Sequence, residues 1–316
     1  MTEPEPILSF DIGGTKLAVG VAQPSGRLLA HRAWPTNRDS TPAQLLDELV
    51  IAGRELVSGR GVGVAALGIS YGGPVDYARG VTITCHHLRG WEEVPLLEMA
   101  AVRTGLRVAM DNDANAAGLA EYYFGAGRGF PDMVYLTVSS GVGGGVIIGG
   151  RVHRGVSTMA GEIGHTVIDP NGPECTCGKR GCVEAFASGW SIARRAEEAL
   201  AAAREPSALR KGEASAQAVA AAAAQGDALA LRLMAETADY LGRGIAAAVN
   251  LLNPGLVVVG GGVAKAGEVL FGPLRETVAK YGVAEAVAAA GVVPAELGDH
   301  TGLLGGVAVA REMLAR

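Results

Sequence analysis

The chain has 316 residues, of which 49% are apolar and 19% charged, and a formal net charge of −5. That length suits two domains, or one large α/β unit with a sizeable core. The acidic balance and the absence of a Lys/Arg-rich run argue against a nucleic-acid partner, and no run of about 18 uncharged apolar residues exists to cross a membrane. Met1–Pro6 carry two glutamates and no basic stretch, so no signal peptide is expected and the cytoplasm is the default compartment.

In chain order, Ile7–Phe10 is a short apolar run ending in Asp11-Ile-Gly-Gly-Thr-Lys16, and Leu17–Ala22 is a second. Two glycines between apolar runs predict a β-hairpin. Pro42–Leu56 is amphipathic and reads as a helix. Val64–Ile69 reads as a strand entering Ser70-Tyr-Gly-Gly-Pro74. A helix over Leu96–Thr104 and a strand over Val108–Met110 lead into Asp111-Asn-Asp-Ala-Asn115, and Ala116–Phe124 turns helical. Met133–Val138 is a strand, followed by Ser139-Ser-Gly-Val-Gly-Gly-Gly145 and a returning strand at Val146–Ile148; this echoes the first hairpin and hints at a duplicated β-rich core. After Ser188 the chain is Ala-rich and helical, and the low-complexity piece Ala214–Ala224 reads as an exposed helix or loop. Asp227–Leu252 is one long helix, stopped by Asn253-Pro254. Leu256–Val259 is a buried strand running into Gly260-Gly-Gly262, and Gly302–Ala315 begins with a glycine cluster and ends in a helix. Strands alternating with helices place the chain in the α/β class.

Four cysteines divide into a lone Cys85 and a cluster at Cys175, Cys177 and Cys182. With His165 the cluster supplies one imidazole and three sulfurs, the donor set of a tetrahedral structural zinc. Four protein donors leave no open position, so such a site would hold a loop and perform no chemistry. Inert thiols or a labile disulfide are the plainer alternative. Cys85, His86 and His87 form a second, weaker grouping.

Three glycine loops follow apolar strands. In Asp11–Lys16 a carboxylate, two glycines and a hydroxyl share one turn. Backbone N–H groups of such a turn can converge on phosphate oxygens, and a nearby Asp can hold hydrated Mg²⁺; a plain hairpin turn is the alternative. Ser139–Gly145 repeats the logic with two hydroxyls, and Gly260-Gly-Gly262 lies where ligands sit in α/β sheets. None is a Walker A motif or a dinucleotide fingerprint. Asp113 could be a base toward a hydroxyl acceptor, with Asn112 orienting it, or these residues could simply cap the next helix. Glu162, His165 and Glu184 flank the cysteines and suit a polyhydroxylated ligand, with a surface salt bridge as the other reading. A His165 bound to metal through one ring nitrogen could donate through the other.

Asp11–Lys16, Asn112-Asp113-Ala-Asn115, Glu162-x-Gly-His165 and Cys175-x-Cys-Gly-x-x-Gly-Cys182-x-Glu184 occur here in the order seen in the ROK family of sugar kinases and sugar-responsive repressors. The sequence resembles that family from Leu8 to nearly its C-terminus. The resemblance implies an actin-like, hexokinase-type fold of ribonuclease H-like topology: an N-terminal α/β domain of residues 1–112 plus 300–316, and a C-terminal α/β domain of 113–299 carrying the zinc loop. It implies ATP-dependent phosphorylation of the terminal 6-hydroxyl of a hexose, glucose first. Asp113 would be the base, and Gly73, Asn112, Glu162, His165 and Glu184 would bind the sugar. Gly13, Gly14, Thr15 and Lys16 would face the phosphates and Asp11 the Mg²⁺. Ser140 and Gly141 would form the second phosphate loop, and Gly261 and Gly262 would lie near the adenosine. His165, Cys175, Cys177 and Cys182 would hold Zn²⁺. The expected partners are a sugar and ATP, with no nucleic acid and no membrane, and the family implies a homodimer or homotetramer.

Two departures stand out. The second phosphate loop usually reads Gly-Thr-Gly in these kinases and here reads Ser139-Ser140-Gly141, so Ser139 could crowd the backbone. Tyr71 is bulkier than the small residue common in family glucokinases and could reshape the sugar pocket. Alternatives are an N-acylhexosamine kinase acting on N-acetylmannosamine or N-acetylglucosamine, a fructokinase, a polyphosphate-dependent relative, and a non-enzymatic sugar-binding regulator. The cysteine cluster weighs against the polyphosphate type. The ten residues before Asp11 are too few for the DNA-binding module of the repressors.

Overall fold

A computed structural model describes residues 4–61, 63–84, 88–202 and 206–315. The chain forms two units, one of Met1–Gly129, Arg151–Ala160 and Leu297–Arg316, the other of Phe130–Gly150 and Gly161–Glu296. The grouping at Cys85, His86 and His87 lies outside the described residues.

In the first unit, β1 (Ile7–Ile12), β2 (Lys16–Ala22) and β3 (Leu28–Pro35) form an antiparallel meander, and α1 (Pro42–Ser58) leads into β4 (Ala66–Tyr71). A small ribbon of β5 (Val75–Asp76) and β6 (Val81–Thr82) precedes α2 (Leu96–Thr104), β7 (Val108–Asn112) and α3 (Asp113–Phe124). The sheet order is β3-β2-β1-β4-β7, with β4 parallel to both β1 and β7. β1 alternates little because both its faces are covered: Ile7, Leu8, Phe10 and Ile12 are all buried. The helix α1 starts on a capping box, Thr41 taking the Gln44 N–H while the Gln44 side chain takes the Thr41 N–H.

The second unit repeats the plan. β8 (Met133–Val138) and β9 (Val142–Ile148) form the antiparallel hairpin, and the short β10 (Arg151–Val152) starts the stretch that returns to the first unit. There follow α4 (Val183–Ala187), α5 (Gly189–Ala202), α6 (Ala216–Ala224), α7 (Ala228–Leu252), β11 (Leu256–Gly260), α8 (Glu268–Tyr281), α9 (Ala284–Ala289) and β12 (Gly291–Pro294). β11 lies parallel to β8 and to β12. Hairpin plus two parallel strands thus occurs twice, and the echo between the two glycine hairpins is a duplication of topology. The core of this unit is the apolar face of α7, including Leu233, Leu241 and Ile245, packed with β8, β11 and α8.

The last helix, α10 (Thr301–Leu314), belongs to the first unit. Its glycines do not precede the helix but lie in it, where Gly305 packs on Ala116 of α3 and Gly306 on Gly68 of β4. A helix glycine costs up to about 1 kcal/mol against Ala, and here close backbone approach offsets that. Because α3 packs on α10, the first unit extends to Gly129 and does not stop at residue 112. Two further expectations change. The piece Ala214–Ala224 is no exposed element: Val219, Ala222 and Ala223 of α6 are buried against the core of the second unit. Gly143, Gly144 and Gly145 belong to β9 and not to a turn. No single described helix is long and apolar enough to cross a membrane.

Candidate active site

In the first unit, the β1–β2 connection is closed by Gly13 N–H donating to Lys16 O at 3.1 Å. The stretch after β3 grips this turn from outside. Thr36 donates its hydroxyl to Gly13 O at 2.7 Å and its N–H to Thr15 O at 3.0 Å, and Arg38 Nε donates to Gly14 O at 3.0 Å. These bonds engage the carbonyls of Gly13, Gly14 and Thr15 away from the turn's N–H groups. Lys16 opens β2 as an exposed residue. Burial pushes the Asp11 carboxyl up to about 6, with Lys16 and the Ser70 hydroxyl pulling the other way. Asp11 lies against the first turn of α10, where any side chain at Gly302 would run into its carboxylate.

The other half of this unit's site is the β7–α3 junction. Asn112 caps α3, its side-chain oxygen accepting from Ala114 N–H at 2.9 Å and Asn115 N–H at 3.4 Å. Its amide nitrogen donates to Gly73 O at 3.0 Å and to Asp113 Oδ1 at 3.1 Å. The capping role therefore falls to Asn112, and Asp113 is the first helical residue, exposed, with its carboxylate oriented by the cap. Gly72 stands between: a Cβ there would be 3.8 Å from Asp113 Oδ2 and 3.4 Å from Gly13 Cα. The candidate base and the first glycine turn are thus neighbours. Beneath them is a network that motif reading did not single out. Asp111, buried, accepts from Asn112 N–H (2.8 Å) and Asn115 Nδ2 (3.0 Å), and pairs with Arg154 through Nε (2.8 Å) and Nη2 (2.6 Å). Arg154 stacks over Tyr77 at 3.7 Å and reaches Glu312 at 3.4 Å. A lone arginine in a glycine-rich stretch carries no sequence signal for this.

Tyr71 belongs to the apolar core of the first unit. It is fully buried, its ring 5.2 Å from that of Trp91 and its hydroxyl donating to Thr84 O at 3.2 Å. Its bulk fills the core behind Gly73.

In the second unit, the β8–β9 turn is Ser139-Ser140-Gly141, closed by Ser139 N–H to Gly141 O at 2.9 Å and tied to α5 by Gly189 N–H to Ser139 O at 2.7 Å. Ser139 and Ser140 are exposed and neither has a positive φ, so the turn accommodates serine at both positions without backbone strain. Gly261, after β11, has φ +87° and presses on Val138. This is a conformation that suits only glycine. Gly262 follows it beside Ser139, whose Oγ would be 3.8 Å from a Cβ there. Glu184 opens α4 as a buried carboxylate: Oε2 accepts Val142 N–H at 3.0 Å and Oε1 accepts the Thr176 hydroxyl at 2.7 Å.

Glu162 and His165 bracket a 3₁₀ turn (Ile163–His165) in which Gly164 lies so close to Val142 O that no side chain would fit. A ring nitrogen of His165 and the sulfurs of Cys175, Cys177 and Cys182 all lie within 4.8 Å of one another. A tetrahedral zinc with Zn–S of about 2.3 Å and Zn–N of about 2.05 Å requires S···S of about 3.8 Å and S···N of about 3.6 Å. Cys177 and Cys182 sulfurs are 3.7 Å apart, and Cys175 Sγ is 3.6 Å from His165 Nδ1. A disulfide needs about 2.05 Å. The donor set and spacing fit a metal. Burial and the neighbouring Cys175 and Cys177 push the Cys182 thiol up to about 12, a cost that a bound cation would offset by favouring the thiolate. With Nδ1 turned to the sulfurs, His165 Nε2 faces Glu162 Oε2 at 3.8 Å, outside the cluster.

Duplicated sheets of this topology, each with a tight hairpin turn, define the actin-like fold of sugar kinases. A model of the ROK family matches residues 7–313, and the chain belongs to that family. It is 35% identical over 314 residues to a glucokinase of Thermotoga maritima, covering 98% of both chains. It is 39% identical over 257 residues to an N-acetylmannosamine kinase of Citrobacter koseri, covering 81% of this chain and 83% of that one. Among solved structures, a ROK family glucokinase from Streptomyces griseus in complex with glucose and AMPPNP superposes with a TM-score of 0.84 at 35% identity, covering 97% of this chain and 99% of that one.

Proposed function

We propose that the protein transfers the γ-phosphoryl group of ATP to the 6-hydroxyl of glucose. What carries this reading is Asp113: an exposed carboxylate, oriented by the Asn112 cap and adjacent through Gly72 to the Gly13 turn. A base beside a phosphate-binding turn is the arrangement that in-line transfer to a hydroxyl needs, because positioning and charge neutralisation supply most of the rate. Asp113 takes the hydroxyl proton. Gly73, Asn112, Glu162, His165 and Glu184 bind the sugar, His165 through Nε2. Gly13, Gly14, Thr15 and Lys16 hold one end of the phosphate chain and Ser140 and Gly141 another, with Gly261 and Gly262 near the adenosine. Asp11 is the residue to hold Mg²⁺, since a carboxylate that burial pushes up to about 6 is under-compensated and gains from a cation.

The test is ADP release with Mg·ATP against a panel of hexoses and N-acylhexosamines. Turnover with glucose is expected. The 39% identity to an N-acetylmannosamine kinase makes that sugar the second candidate, and turnover with it alone would keep the mechanism and change the substrate. A silent panel would sink the kinase reading.

The Cys₃His site holds Zn²⁺ in this reading. Elemental analysis of protein purified without chelator should find about one zinc per chain. None, together with fewer than three titratable thiols in the cluster, would favour a disulfide instead.

A further inference from the structure

The cysteine loop and the Ser139–Gly141 turn meet at one residue, Glu184. Its Oε2 accepts the Val142 N–H at 3.0 Å, at the root of the turn, and its Oε1 accepts the Thr176 hydroxyl at 2.7 Å. Gly141 is pressed on the same carboxylate: a Cβ there would be 2.7 Å from Oε2. Thr176 stands between two metal donors, Cys175 and Cys177, and Glu184 stands two residues after a third, Cys182. From the other side Gly164, next to the fourth donor His165, packs on Val142 O. Both polar groups of the Val142 backbone are therefore addressed by residues one or two positions from metal ligands.

Without an ion, the exposed tip of this loop is held by local bonds alone, although its base is anchored. Glu174 and residues 176–180 are exposed, and this tip is held by Cys175 N–H to Lys179 O, Gly178 N–H to Cys175 O and a Glu174–Arg180 bridge, while the buried Gly181 anchors its base through N–H to Pro173 O and through its O, which accepts from Ile168 N–H. Such a tip opens locally at low cost. Held by a metal through Cys175 and Cys177, it keeps the Thr176 hydroxyl in place and Glu184 on Val142.

We propose that metal occupancy and nucleotide binding are linked through Thr176 and Glu184, so that a filled Cys₃His site tightens the grip of the Ser139–Gly141 turn on a nucleoside triphosphate. This rests on the reading of that turn as a phosphate loop and of the cluster as a metal site. Linkage is reciprocal, so bound nucleotide must also slow metal loss by holding the turn closed on Glu184. Besides its proposed place among the sugar ligands, Glu184 acts here as a positioning residue, through the backbone it holds.

The experiment measures AMPPNP affinity by calorimetry on zinc-loaded wild type, on chelator-stripped wild type and on zinc-loaded Thr176→Val, which keeps all four donors. The stripped protein is expected to bind AMPPNP about fivefold or more weakly. Zinc-loaded Thr176→Val should bind it about threefold or more weakly, the loss of one hydrogen bond, with unchanged zinc content. In parallel, zinc transfer to a colorimetric chelator should be slower with AMPPNP present in wild type, and lose that dependence in the variant. Equal affinity in all three samples overturns the linkage. So does weakening on stripping alone with Thr176→Val unchanged, which would mean general loosening of the loop. Wild type that binds no AMPPNP fails the kinase reading itself, and wild type that retains no zinc fails the metal reading.

Discussion

Asp113→Asn is expected to lower kcat with glucose by about 10²–10⁴-fold, the range a positioned general base contributes. The substitution keeps shape and removes only the basic oxygen. Asp113 is exposed, so no packing is lost, and the cap of α3 rests on Asn112, which is untouched. Stability and AMPPNP affinity should therefore stay near wild type, and the glucose KM should move far less than kcat, since the lost interaction matters only as the proton leaves. Steady-state ADP release beside a thermal melt separates the cases. A kcat within a few-fold of wild type would remove Asp113 as the base. A large fall accompanied by a lower melting temperature would show instead that the residue serves the helix start.

The sequence was most legible where chemistry constrains local geometry. The turn at Gly13 and Gly14, the Asn112–Asp113 junction and the Cys₃His donors are short motifs, and each set meets in space within its own unit. Periodicity exposed α1, α2 and α7 because each buries one face. It missed β3, an edge strand whose His31 and Arg32 face water, and α8, whose interior Pro273 breaks the usual helix signature. It misplaced the glycines of β9 and α10, since a glycine in a sequence reads as a turn until the backbone packed against it is known. Glu184 was legible as a carboxylate but not as the partner of Val142, 42 residues away. The clamp of Thr36 and Arg38 on the first turn was invisible for the same reason: hydrogen bonds to carbonyls leave no pattern in side-chain types.

Asp111→Ala should be the most destabilising single change near the site, by about 3–5 kcal/mol, because it strands a buried cation. Arg154 is 12% exposed and Asp111 1%, so neither is rescued by water. Burial pushes the Asp111 carboxyl up and the neighbouring Arg154 pulls it back, so each charge tolerates the interior largely because of the other. The alanine variant leaves Arg154 with Glu312 at 3.4 Å, Val152 O at 3.5 Å and the face of Tyr77, and it also deprives Asn112 N–H and Asn115 Nδ2 of their acceptor. Adding Arg154→Met removes the stranded charge, so the double variant should recover part of the loss. The sign of that coupling separates a paired network from two independent packing residues. Urea unfolding followed through the buried Trp91 of the same unit measures both. A loss under about 1 kcal/mol for Asp111→Ala, or a double variant as unstable as the sum of the singles, would show that the pair contributes little. Because Asp111 also fixes the Asn112 N–H, the double variant should regain stability without regaining full kcat: the charge imbalance is relieved, but the cap that aims Asp113 stays loosened.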